Sequence, residues 1–132
     1  EALKDLLSTW QLRHPKVNLH YQVNLKLLPK ISETISVTSY RIIQECLTNI
    51  SRHAKAKNVE IHIGYSKKNT SSAVIDITVK DDGVGLSKSH QDGFGLSGMR
   101  ERINEIHGKI NIVSNINRGV KLNIQLPITR KK

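Results

Sequence analysis

Apolar residues recur along this chain with two different periods, and the places where the period changes mark its elements. Leu3, Leu6, Leu7 and Trp10 stand three or four apart, which predicts a helix over residues 1–13 that Pro15 brings to a stop. From Val17 to Leu27 apolar and polar residues alternate strictly, the mark of a half-buried strand. After Pro29 the helical period returns in Ile42, Ile43, Cys46, Leu47, Ile50 and Ala54, with Ser32 as the expected N-cap and an end near Lys57 or Asn58. Two alternating strands follow, Val59, Ile61, Ile63 and then Ile75, Ile77, Val79, joined by a polar loop over residues 66–72. Leu96, Met99, Ile103 and Ile106 trace a further helix that Gly108 is expected to close as a left-handed cap. A final hairpin turns around residues 115–119, with Ile110 and Ile112 in one arm and Val120, Leu122, Ile124 and Leu126 in the other.

Every strand is polar on one side, so the sheet needs one covered face and one wet face, as largely antiparallel sheets have. The prediction is a two-layer α/β sandwich: a mixed, largely antiparallel sheet of about five strands covered on one face by three helices. The 132 residues suit one domain with one core, and 37% hydrophobic residues are enough to build it. Residues 128–132 are expected to form a disordered tail. The near-continuous apolar strands of a dinucleotide fold are missing, so residues 93–98 are not a Rossmann fingerprint.

The net charge of +10 points to an anionic partner without choosing among them. With aromatics at only 4% and no zinc-ligand spacing, nucleic acid is disfavoured and a phosphate-bearing ligand or an acidic protein surface remains. The lone Cys46 sits on an apolar stripe, reads as a small buried hydrophobe and suits a reducing cytoplasm. No apolar run approaches a membrane span, and the first residue is Glu, so a piece of a longer protein is expected.

Three groups of residues carry candidate chemistry. On the long helix, Glu45, Asn49, Arg52 and His53 lie on the flank of the apolar stripe, where an acid, an amide and two cationic groups can hold a hard cation and phosphates. An ordinary solvated helix face explains them as well. In Asp81-Asp82-Gly83-Val84-Gly85, the glycines allow a close backbone approach to a flat ligand and Asp81 offers an acceptor for an exocyclic amine. Gly93, Gly95 and Gly98 open straight into a helix, whose first amides suit a phosphate. Each group is weak alone, and their order on one compact fold strengthens all three.

These residues resemble a known family. Glu45-x-x-x-Asn49 with Arg52-His53-Ala54 resembles the N-box, residues 81–85 the G1 box and residues 93–102 the G2 box of the GHKL ATPases. The runs from Arg41 to Ala56 and from Gly93 to Ile103 look like the catalytic, ATP-binding domain of NarX/UhpB-like sensor histidine kinases. The resemblance implies the Bergerat fold and a domain that passes the γ-phosphoryl of MgATP to a histidine on an upstream dimerisation domain. It further implies relay to a LuxR-type response regulator, a cytoplasmic site of action, a homodimeric full-length kinase and a monomeric fragment. By position, Asn49 would coordinate Mg²⁺ and Glu45 would polarise the incoming nucleophile, with Arg52 and His53 near the phosphates. Asp81 would accept from the adenine amine beside Gly83 and Gly85, while Gly93, Gly95, Leu96 and Gly98 would hold the triphosphate, and residues 86–92 would form a short lid. Asp82 is expected to stabilise the turn. Where the family usually has Gly-Thr this chain has Gly119-Val120, which implies weaker ATP binding, and His14, His20, His62, His90 and His107 read as surface residues. A GHKL-type anti-sigma serine kinase and a non-catalytic GHKL interaction module are the alternatives.

Overall fold

The computed structural model describes residues 2–24, 32–67, 72–84, 96–115 and 118–129, and for residues 53, 54, 72, 96, 97, 115 and 129 the backbone only. Its elements run α1 (Ala2–Arg13), β1 (Asn18–Val23), α2 (Glu33–Asn49), a π-helical turn (Ile50–Ala54), β2 (Asn58–Lys67), β3 (Ser72–Asp81), α3 (Leu96–Glu105), β4 (Lys109–Asn115) and β5 (Gly119–Thr129). The five strands form one sheet in the order β1-β2-β3-β5-β4, with β1 parallel to β2 and the other pairs antiparallel.

The alternation read along the strands is the alternation of burial. Val59, Ile61 and Ile63 of β2, Ile75, Ile77 and Val79 of β3 and Leu122, Ile124 and Leu126 of β5 all point to one side. There they meet Leu7 and Trp10 of α1, the α2 stripe from Ile35 to Leu47, and Met99 and Ile103 of α3 in one continuous core. On the other side Thr78 donates to Asn123 and Gln125 to Asp76 across the strands, as a solvated sheet face requires. The two-layer sandwich with a mixed sheet and helices on one face is therefore as expected.

Several boundaries differ. α2 gives way to the π-helical turn after Asn49 and the chain leaves it through Lys55, at φ +50°, earlier than the expected end. The amides of Lys57 and Asn58 are drawn off to the Asp82 carboxylate, at 2.7 and 2.9 Å, where β2 begins. The first strand is shorter than the run of alternation: β1 is Asn18–Val23, and Leu25 and Leu27 lie outside the described residues. Residues 128 and 129, placed in the expected tail, belong to β5, which continues to Thr129 with Ile128 buried among the core residues; residues 130–132 lie outside the described residues.

The end of α3 corrects the part played by Gly108. The left-handed residue is His107, at φ +61°. The Gly108 amide donates to the Ile103 carbonyl and the His107 amide to that of Asn104, which together make a Schellman motif. Gly108 is needed for space: a Cβ there would lie 2.8 Å from the Gln125 carbonyl oxygen, where the chain enters β4 close beside β5. His14, expected at the surface, is half-buried. Its ring stacks on Trp10 with centroids 4.2 Å apart, Nδ1 donates to the Trp10 carbonyl, and Nε2 lies 2.9 Å from Ser51 Oγ in the π-helical turn.

Candidate functional site

The strand that supplies the core also supplies the first candidate. Asp81 is the next inward position after Ile75, Ile77 and Val79, so the alternation that buries those residues carries a carboxylate to the edge of the core, where it is only 6% exposed. Oδ1 accepts from the Gly83 amide at 2.9 Å in an Asx-type turn, and the Val120 amide, opposite Asp81 in the β3–β5 register, also donates to the carboxylate. Burial raises the affinity of Asp81 for its proton above the ordinary value, the two amides work against that rise, and the neighbouring Asp82 charge adds to it. A carboxyl raised in this way gives up stability as pH climbs from its unfolded to its folded value, so at neutral pH the fold carries Asp81 at a cost. Such groups concentrate at functional sites.

Asp82, one residue on, faces solvent and does something else. It accepts from the Lys57 and Asn58 amides and, through Oδ2, from the Asn58 side chain at 2.8 Å. Burial opposes its ionisation, yet these donors outweigh it and hold the carboxyl below its usual range. It thus pins the turn after β3 to the start of β2, a structural duty of the kind expected for it.

α2 brings the second group. Glu45 and Asn49, one turn apart, are half-buried on the flank of the stripe. Glu45 Oε1 takes a 2.6 Å ion pair from Arg102 Nη1 of α3, and Glu45 Oε2 is buried with no partner among the described residues. Between the two groups lies Cys46, whose thiol is pushed up to about 12 by burial, then by the charges of Glu45 and Asp81. A thiol with so high a pKa is no nucleophile. Arg52 stands apart from them: the wider π-helical turn carries it into solvent, where it bonds to no described residue.

Of the remaining predicted residues, Gly83 is buried against Asp81, and Gly98 lies exposed in the first turn of α3, where an added Cβ would have nothing within 4 Å. Gly85, Gly93, Gly95 and the lid over 86–92 lie outside the described residues, and of His53 and Leu96 only the backbone is described. The sequence alone assigns no role to Arg102. Its one legible signal is its place three residues after the apolar Met99, on the border of a core-facing stripe. The close approach of Gly119 is not legible in the sequence either. At φ +92° it lies so close to β3 that a Cβ would sit 1.8 Å from the Asp81 carbonyl oxygen.

With this geometry in place, comparison with known proteins assigns the family. Residues 35–130 match the histidine kinase-, DNA gyrase B- and HSP90-like ATPases, and the chain belongs to that family. It is 34% identical over 128 residues to the signal transduction histidine-protein kinase/phosphatase UhpB of Salmonella typhimurium, covering 96% of this chain and 24% of that protein. It is 32% identical over 116 residues to the oxygen sensor histidine kinase NreB of Staphylococcus carnosus, covering 86% of this chain and 32% of that one. The chain thus spans about a quarter to a third of the length of these relatives. The same fold recurs in the histidine kinase domain of the Erythrobacter litoralis EL346 blue-light activated kinase, at TM-score 0.73 and 17% identity over 96% of this chain and 59% of that one. It recurs too in the ATP-binding domain of PrrB from Mycobacterium tuberculosis, at TM-score 0.71 and 14% identity over 98% of this chain and 93% of that one.

Proposed function

We propose that this chain is the ATP-binding catalytic domain of a two-component sensor histidine kinase, and that it presents the γ-phosphoryl of MgATP to a histidine on a separate dimerisation domain for relay to a response regulator of the LuxR type. The observation that carries the reading is Asp81: a carboxylate buried at the end of a core strand and aimed by the Gly83 and Val120 amides, in a chain of the ATPase family. An acceptor fixed in this way suits the exocyclic amine of adenine and not the carbonyl that guanine has in its place.

Phosphoryl transfer asks a protein mainly to position groups and neutralise charge. The donor set fits a hard cation, since Glu45 keeps a buried oxygen without a partner among the described residues and Asn49 has an amide oxygen one turn away. Mg²⁺, when bound, neutralises phosphate charge; Asn49 would hold it, and Glu45 would orient the incoming nucleophile. Arg52, His53, Gly85, Gly93, Gly95, Leu96 and Gly98 complete the proposed contacts to base and phosphates. Among the described residues no helix is long and apolar enough to cross a membrane. The reading places the domain on the cytoplasmic side, in a kinase that is dimeric when whole.

Isothermal titration of the chain with MgATP and MgGTP tests the proposal. ATP is expected to bind more tightly than GTP, and Asp81→Asn to weaken ATP by about 1–3 kcal/mol, the cost of mispairing a buried polar contact. Equal affinities for the two nucleotides, or no effect of the substitution, would remove the adenine assignment.

A further inference from the structure

We propose that Arg102 is a positioning residue of this site: it serves as the resident counter-cation of Glu45, so that a divalent cation engages that carboxylate only together with the phosphates of a nucleotide. The inference rests on the reading above in taking Glu45 and Asn49 as the groups that face the cation.

The pair is built into the fold. Lysine and arginine outnumber aspartate and glutamate by 21 to 11, so chance surface pairs are easily available, yet the Arg102–Glu45 contact is the one ion pair among the described residues. It joins α2 to α3 through a short bond from Nη1 to Oε1, and the other guanidinium donors bond to no described residue. The side chains are 38% and 32% exposed, so the pair sits at the rim of the core, where the guanidinium has room to turn aside. Glu45 Oε2 meanwhile is buried with no partner among the described residues. Without Arg102, the Glu45 carboxylate would stand one turn from the Asn49 amide with no other ion-pair partner among the described residues, an arrangement that attracts a divalent ion. With Arg102 in place one charge is already answered. Phosphates entering at the start of α3 would bring new negative charge beside the guanidinium and share it, freeing Glu45 for the metal.

The test uses Mn²⁺ as the probe and no nucleotide, with free Mn²⁺ read by electron paramagnetic resonance in the wild-type chain, Arg102→Gln, Arg102→Lys and the double variant Arg102→Gln/Glu45→Gln. Arg102→Gln is expected to bind Mn²⁺ at least tenfold more tightly than the wild type, the double variant to lose that gain, and the charge-keeping Arg102→Lys to match the wild type. A purely structural tie between helices would lower the melting temperature of both Arg102 variants and create no Mn²⁺ binding. Should Arg102→Gln melt below the assay temperature, Arg102→Met, which keeps an apolar stem, replaces it. Unchanged Mn²⁺ affinity on losing the guanidinium, or a gain that survives Glu45→Gln, overturns the proposal. A parallel titration of the wild type with MgATP separates the two inferences: failure there with the expected Mn²⁺ pattern removes the nucleotide reading and leaves the counter-cation, and the reverse pattern does the opposite.

Discussion

Replacing Gly119 with alanine probes how the fold aims Asp81. Gly119 opens β5 at φ +92°, and a Cβ there would lie 1.8 Å from the Asp81 carbonyl oxygen and 2.7 Å from its carbon, far inside any real contact. Alanine can be housed only if the start of β5 backs away from β3. Two costs follow. Holding a non-glycine residue in that backbone region costs about 1–3 kcal/mol. Moving β5 also withdraws the Val120 amide from the Asp81 carboxylate, and a hydrogen bond to a charged group is worth about 1.5–3 kcal/mol. The sum is a destabilisation of about 3–6 kcal/mol. For a chain of 132 residues, ~3–5 °C per kcal/mol turns this into a fall in melting temperature of roughly 10–30 °C, measured by calorimetry or circular dichroism. ATP affinity, measured well below the transition, is expected to fall as well, since the carboxylate loses one of the two amides that orient it. A melting temperature within about 3 °C of the wild type would refute the reasoning, because it would mean that the strand end yields freely and does not aim Asp81.

Gly98→Ala makes the opposite comparison: it replaces an exposed helical glycine with open space around it, so stability is expected to rise by about 0.5–1 kcal/mol while ATP binding weakens, and a gain in both would remove Gly98 from the phosphate contacts. Val120 faces the core side with Leu122 and Ile124 and is half-buried, so Val120→Thr is expected to tighten ATP binding by up to about 1 kcal/mol if its hydroxyl reaches a water at the base. A lower melting temperature with unchanged affinity would show instead an unpaired hydroxyl in an apolar position. Asp82 has a lowered carboxyl pKa, so its contribution is complete above the ordinary carboxylate range, about pH 4, and is lost as pH falls through the lowered value. Asp82→Asn should therefore flatten that part of the acid unfolding curve, and an acid limb identical to the wild type would deny Asp82 its hold on β2.

Periodicity along the chain was enough to determine the helices, the strands and the side on which each is buried, because burial of one face leaves its own repeat in the order of residues. The α2 stripe from Ile42 to Leu47 and the strand series Ile75, Ile77, Val79 were legible for that reason, and so was the inward direction of Asp81 once the alternation was extended by one step. The kinds of residue at the candidate site were legible too, less from any one group, since a solvated helix face explains Glu45 and Asn49 as well, than from the order of the three groups along one compact fold. What depended on the tertiary structure were the relations between elements distant along the chain. No local pattern pairs Arg102 with Glu45, 57 residues away, or sets the Val120 amide against Asp81. Nor does a local pattern show that Asp82, at the end of β3, takes the Lys57 and Asn58 amides where β2 begins. Gly108 looked like a left-handed cap, but the left-handed residue is His107, and the entry of the chain into β4 beside Gln125 makes Gly108 a matter of space. Local sequence sets the period of burial, while hydrogen bonds and steric contacts between strands and helices far apart in the chain exist only once the core has brought them together.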